Sequence, residues 1–213
     1  LREAGITSPV IVMNPDESVT ELIIHNNLEP EIYSIESFNA FTSAARRFGL
    51  LHYPVHIKLD TGMHRLGFGI GDIDELISRL TGQQHLKVVS LFSHLAASED
   101  PAHDAFTRRQ AGLLTETAVR MKAALGYGFS LHLLNSSGIA RFPEYQFDMI
   151  RLGIGLYGIG KYEGVSLRQT GRFVTAVSQV RIVAAGEPVS YGCGGVSEHD
   201  REIAVIPVGY ADG

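Results

Sequence analysis

The sequence predicts an α/β chain: part of a (β/α)8 barrel, from about its third strand to its eighth, followed by the start of an all-β domain. Three observations carry that reading. Short apolar runs rich in β-branched residues alternate with segments of helical period through six units, the pattern of a parallel sheet with right-handed crossovers. Polar residues gather at the C-terminal ends of the strand-like runs, at Lys58, Asp60, His94, Asn135, Ser136 and Arg151, where a barrel carries its chemistry. A doubly wound nucleotide-binding sheet needs G-x-G-x-x-G between a first strand and its helix, and none occurs there.

In chain order, Leu1-Arg2-Glu3-Ala4-Gly5 reads as a helix end with its glycine cap, which places the first two barrel units outside this chain. Residues 9–13 are strand-like, and 18–26 are helical with Val19, Leu22 and Ile23 on one face. A short strand at 31–34 precedes a helix at 38–48 stopped by Gly49. The strand at 55–59 ends in the turn Asp60-Thr61-Gly62, and a helix follows at 73–80. The strand at 86–92 runs into His94, and Pro101 announces the longest helix, about Asp104 to Leu125. Residues 131–134 form a strand ending in Asn135-Ser136-Ser137-Gly138, and 149–156 the last strand of this part. After Gly160 helical period disappears: 173–184 alternate, Gly186-Glu187-Pro188 is a turn and 202–208 a strand. The expected division is therefore a barrel portion at 1–160, a linker at 161–171 and a β-domain beginning at 172–213.

A formal net charge of −5 argues against a nucleic-acid surface, and the pairs Arg46-Arg47 and Arg108-Arg109 are expected on solvated helix faces. The single cysteine, Cys193, excludes an internal disulfide framework and fits a reducing, cytoplasmic compartment; it is expected to be a small packing residue. No run approaches the ~18 apolar residues of a membrane helix, and no metal site is expected.

The stretch from Phe147 to Gly158 is the most unusual. It reads as a buried strand, yet Arg151 stands in its middle and Gly153, Gly155 and Gly158 follow. A buried arginine is costly unless something polar meets it, and the glycines let backbone N–H groups approach a ligand such as a phosphate. Lys58, inside an apolar run, has three readings: an end-of-strand lysine reaching water, a Schiff-base amine activated by burial, or a lysine modified to lose its charge. Taken singly, His94 and His132 fit satisfied core histidines and Ser136 a turn residue.

Five motifs together resemble the alanine racemases: Lys58-Leu59-Asp60-Thr61-Gly62-Met63-His64-Arg65-Leu66-Gly67, Ser93-His94-Leu95-Ala96, Asn135-Ser136-Ser137-Gly138, Ile150-Arg151-Leu152-Gly153 and Val208-Gly209-Tyr210-Ala211-Asp212-Gly213. They run in the family's order along nearly the whole chain.

The resemblance implies a pyridoxal-phosphate (PLP) enzyme of the barrel-plus-β-domain type, a homodimer with shared sites. It would interconvert L- and D-alanine and supply D-alanine for peptidoglycan. It implies that Arg151 faces the pyridine nitrogen, that Ser136, Gly153 and Ile154 hold the phosphate, and that His94 and Asn135 border the cofactor. Tyr210 matches the tyrosine that exchanges the α-proton in the partner's site, with His94, Arg151 and His132 forming a hydrogen-bonded series that tunes it. Arg65 corresponds to the residue that contacts the substrate carboxylate or the cofactor's phenolic oxygen, and Lys58 to a lysine carbamylated in many members.

The family's PLP-bearing lysine sits in a motif resembling Val-Lys-Ala-Asn-Ala-Tyr-Gly-His-Gly, which does not occur here; the only lysines are Lys58, Lys87, Lys122 and Lys161, the last three in surface contexts. The chain is therefore expected to be an internal portion of the protein, inactive by itself. A racemase for serine or another small amino acid, and a non-catalytic PLP-binding or PLP-homeostasis protein on the same barrel, are the alternatives. The β-segment from Phe173 onward argues against the latter, whose members stop after the barrel.

Overall fold

The computed structural model describes every residue except Lys161, Glu163, Val165 and Gly213. The described residues fall into two compact units, Leu1–Arg168 and Gln169–Gly213. The expected linker start at Lys161 and the last glycine of the Val208–Gly213 motif lie outside the described residues.

The first unit is a parallel five-stranded sheet in chain order: β1 (Ile11–Val12), β2 (Glu29–Ile32), β3 (Tyr53–Lys58), β4 (Leu86–Phe92) and β5 (Ser130–His132). Helices α1 (Thr20–His25), α2 (Ile35–Arg47), α3 (Ile73–Thr81) and α4 (Asp104–Leu125) form the crossovers, as the βα alternation predicts, and this is the partial α/β barrel. Their ends follow local chemistry. A capping box of Ser34 and Ser37 starts α2, Pro101 and the Asp100 side chain lead into α4, and Gly126 in the left-handed region at φ 73° ends it. The first residues close as expected for a glycine-capped helix end, with Ile6 N–H on Leu1 O, Gly5 N–H on Arg2 O and Gly5 at φ 79°.

The two faces of the sheet differ in chemistry. Ile32, Val55, Ile57, Leu59, Val88, Leu91 and Leu131 pack against Phe38 and Phe41 of α2, Leu76 and Leu80 of α3, and Leu114 and Met121 of α4 in one core. The alternate residues point the other way and include Glu29, Glu31, His56, Lys58, Ser90, Phe92 and His132. One irregularity sets this pattern. Val55 pairs with Val88 but His56 with Ser90, so Val89 is an extra residue in β4, and this bulge turns Ser90 onto the polar face beside His56.

Several expectations are corrected. The strand expected at 149–156 is a single bridge, Met149 to His132, followed by a 3-10 turn at Ile154–Tyr157. Its apolar side chains are not buried: Ile154 is 56% exposed and Leu156 59%. β5 itself ends at His132, and the backbone at Gly153 (φ −101°, ψ −109°) departs from the extended conformation and leads into the turn. Residues 133–135 leave the sheet, and Ser136–Arg141 form a short helix, α5, with Asn135 as N-cap.

The second unit contains an antiparallel pair, β6 (Gln179–Val183) and β7 (Arg201–Val205), shorter than the alternation at 173–184 and 202–208 implies. Cys193 is exposed in the connection between these strands, at the end of the 3-10 turn Tyr191–Cys193, and is not a packing residue. Arg46, Arg47, Arg108 and Arg109 are exposed as expected, with Arg47 and Arg108 paired to Glu21 and Glu144. Among the described residues no helix is long and apolar enough to cross a membrane, and no group of His, Cys, Asp and Glu side chains has the makings of a metal site.

Candidate active site

Arg151 organises the polar end of the first unit. The segment carrying it is tied alongside β5: Asp148 N–H donates to Leu131 O, the Asp148 carboxylate accepts Leu131 N–H, and Arg151 N–H donates to Leu134 O. The guanidinium then donates to His132 Nδ1 at 2.5 Å, Ser93 O at 2.5 Å and Leu133 O at 3.1 Å, with His94 Nδ1 3.4 Å away. Among the described residues no carboxylate forms an ion pair with it. Burial presses its pKa down to about 10, so it stays charged at neutral pH.

His94, Arg151 and His132, expected as a series, are therefore brought together. Burial and then the Arg151 charge push His94 down to about 4 and His132 to about 3, so both rings are neutral at pH 7. Gln110 of α4, fully buried, fixes the His94 loop: its amide donates to His94 O and Thr61 Oγ1 and its carbonyl accepts Ala96 N–H.

Beside Arg151 lies a hollow of about 350 Å³ lined by His94, Asn135, Ser136, Ser137, Arg151, Leu152, Gly153 and Ile154. The Gly153 and Gly155 N–H groups, each 3.1 Å from Ser136 Oγ, converge on one oxygen. Ile154 N–H opens the 3-10 turn, where no intrahelical acceptor reaches it. Asn135 is engaged in structure: its Oδ1 caps Gly138 N–H and accepts from Ser98 Oγ. A Cβ at Gly138 would lie 2.9 Å from Leu95 Cδ1 and 3.2 Å from that Asn135 oxygen, so the turn needs its glycine.

Lys58 and Arg65 line a second hollow of about 410 Å³ with Met13, Asn14, Glu31 and Leu66. Lys58 is buried and its pKa falls to about 8, through desolvation first and the charges of Arg151 and Arg65 after the opposing pull of Glu31. Arg65 is exposed on a loop closed by the Leu59–Phe68 bridge, and the Asp60 carboxylate turns that loop by accepting Gly62 and His64 N–H. Tyr210 belongs to the second unit and is fully exposed there.

The sequence reading missed residues that this geometry makes prominent. Phe92 is a platform: His132 stacks on it at 4.6 Å, Lys58 Nζ lies 4.7 Å from its centroid and the Arg151 guanidinium 5.1 Å. Glu29 lies before the strand expected at 31–34 and within the observed one, and His56 and Ser90 read as ordinary strand residues, although His56, like Lys58, is a titratable side chain inside an apolar run.

The family model for the N-terminal domain of alanine racemase matches residues 1–161, and that for its C-terminal domain matches 171–213. The chain belongs to the alanine racemase family. It is 34% identical to the alanine racemase of a Synechocystis species and 34% identical to alanine racemase 1 of Oceanobacillus iheyensis, over 100% of this chain and 58% of each relative. The chain thus spans somewhat over half the length of these curated relatives. Among solved structures, the alanine racemase of a D-cycloserine-producing Streptomyces lavendulae matches with a TM-score of 0.85 at 26% identity, over 100% of this chain and 58% of that one. The family member from Bartonella henselae, solved with covalently bound pyridoxal phosphate, matches with a TM-score of 0.77 at 26% identity, over 99% of this chain and 58% of that one.

Proposed function

We propose that the full-length protein containing this chain is an alanine racemase that uses PLP, acts as a homodimer with shared sites in the cytoplasm, and supplies D-alanine for peptidoglycan. Residues 1–160 form the cofactor-binding barrel portion, 161–171 the linker and 172–213 the beginning of the β-domain.

The observation that carries the reading is the Arg151 guanidinium at the rim of the first hollow, held by His132 and two carbonyls and without a carboxylate partner among the described residues. The donor set fits an anionic, ring-nitrogen-bearing cofactor. Arg151 supplies positive charge, and the amides of Gly153 and Gly155 already converge on one oxygen.

PLP supplies an electron sink for the substrate's Cα–H bond. Arg151 gives the pyridine nitrogen a hydrogen bond but no proton, which keeps that sink weak and favours simple reprotonation over side reactions. Ser136, Gly153 and Ile154 hold the phosphate, with His94 and Asn135 shaping the wall. Arg65 binds the substrate carboxylate or the cofactor's phenolic oxygen. Lys58, as a carbamate, turns repulsion of Arg65 into attraction. Tyr210 moves the proton at Cα on one face of the substrate in the partner's site, tuned by His94, Arg151 and His132.

The test is direct: purified full-length protein with PLP should convert L-alanine into D-alanine, and conversion of serine alone, or of neither, would refute the assignment.

A further inference from the structure

Behind Arg151 a polar chain crosses the sheet. Glu29 Oε2 lies 2.8 Å from His56 Nε2, His56 Nδ1 2.6 Å from Ser90 Oγ, Ser90 Oγ 2.9 Å from His132 Nε2, and His132 Nδ1 2.5 Å from Arg151 Nη1. His56, Ser90 and His132 are buried.

The two ends dictate every proton in it. A guanidinium only donates, so His132 Nδ1 accepts and its single proton sits on Nε2. That N–H donates to Ser90 Oγ, and the Ser90 hydroxyl is left to donate to His56 Nδ1. The remaining proton of His56 is then on Nε2 and donates to the Glu29 carboxylate, which only accepts. Any second proton on His56 would face Ser90 with two donors and strand its hydroxyl, a costly outcome in a buried site.

We propose that Glu29, His56 and Ser90 are positioning residues for Arg151: they form a proton-ordered chain that holds the His132 ring by its Nε2–H, keeps its Nδ1 lone pair on Arg151 and so aims the guanidinium into the cofactor hollow. This rests on the reading that Arg151 faces the PLP ring. The bulge at Val89 is part of the device, because a regular register would pair Val89, not Ser90, with His56. Glu29 and Glu31 on β2 attract a proton to His56, and burial together with the ordered hydroxyl opposes it. An apolar core would have filled the same space without fixing any direction, since buried polar networks contribute specificity more surely than stability.

The experiment is nitrogen NMR of full-length protein carrying labelled histidine, with His56→Asn and His132→Asn used only to assign resonances. Both rings should be neutral Nε2–H tautomers between about pH 6 and 8. An imidazolium at His56, or an Nδ1–H tautomer at either ring, would overturn the proposal. Ser90→Ala should take the acceptor from the His132 Nε2–H, shift that proton's resonance upfield and speed its exchange, and weaken PLP binding about tenfold, and Ser90→Thr should restore all three. An unchanged His132 Nε2–H resonance, or unchanged PLP affinity, in Ser90→Ala would also overturn it. The two readings fail separately: ordered tautomers in a protein that takes up no PLP would sink the racemase assignment alone, whereas PLP uptake with a doubly protonated His56 would sink the chain alone.

Discussion

Replacing Gly67 by alanine tests how the Lys58–Arg65 hollow is held. Gly67 sits at φ 125°, and a Cβ there would lie 2.7 Å from Asp60 N, 2.8 Å from the Leu59 carbonyl carbon and 3.1 Å from Lys58 Cγ. Kept in place, the side chain would suffer about 1–3 kcal/mol of backbone strain and about 1–3 kcal/mol of overpacking against backbone that has little room to move. The cheaper escape is for the loop to part from the end of β3. That gives up Phe68 N–H on Lys58 O and Asp60 N–H on Phe68 O, both 2.9 Å, at about 0.5–1.5 kcal/mol each. The expected loss is therefore about 1–3 kcal/mol, with Arg65 displaced from Lys58. Urea unfolding of the full-length variant should show a lower midpoint at unchanged slope, and the Asp60 and Phe68 amides should exchange faster. A midpoint equal to wild type with both amides still protected would refute the argument.

Lys58 should react with acetic anhydride at a rate that levels off above about pH 9, since a pKa of about 8 leaves roughly a quarter of it neutral at pH 7.5 against about one part in a thousand for an ordinary lysine; peptide mass spectrometry reads this, and a rate still rising tenfold per pH unit at 9 would contradict it. Because its folded-state pKa is depressed, the unfolded chain binds the extra proton between about 8 and 10.5, so Lys58 adds to stability as pH rises through that window. Ser136→Ala should cost about 1–2 kcal/mol by leaving the Gly153 and Gly155 N–H groups without their acceptor, measurable by denaturant titration. Tyr210→Phe should selectively impair proton exchange on the L-alanine face, and equal loss of isotope exchange in both directions would count against its role.

The elements most legible in the sequence are those whose signals are local. β4 and α4 keep their expected limits because Leu86, Val88, Val89, Leu91 and Phe92 make a short, mostly apolar run and Pro101 and Gly126 bracket a long helical period. The 149–156 stretch misled because apolar alternation announces strand geometry without saying what will cover it; here the neighbouring strand ends at His132, the chain turns after Gly153, and Ile154 and Leu156 are exposed. At the site, Lys58, His94, Asn135, Ser136 and Arg151 stand out by position at strand ends. Glu29, His56 and Ser90 do not, since their meeting depends on the register of three strands and on a bulge at Val89 that no turn residue marks. Phe92 reads in sequence as one more core residue, although it faces the polar side of the sheet.

The central claim, that the Arg151 hollow is a PLP site, is tested most directly by a crystal structure of the full-length protein with PLP. The account predicts the pyridine nitrogen within about 3 Å of an Arg151 guanidinium nitrogen and the phosphate at Ser136, Gly153 and Ile154. PLP bound elsewhere, or with its phosphate at Arg151 and its ring nitrogen facing solvent, would contradict it.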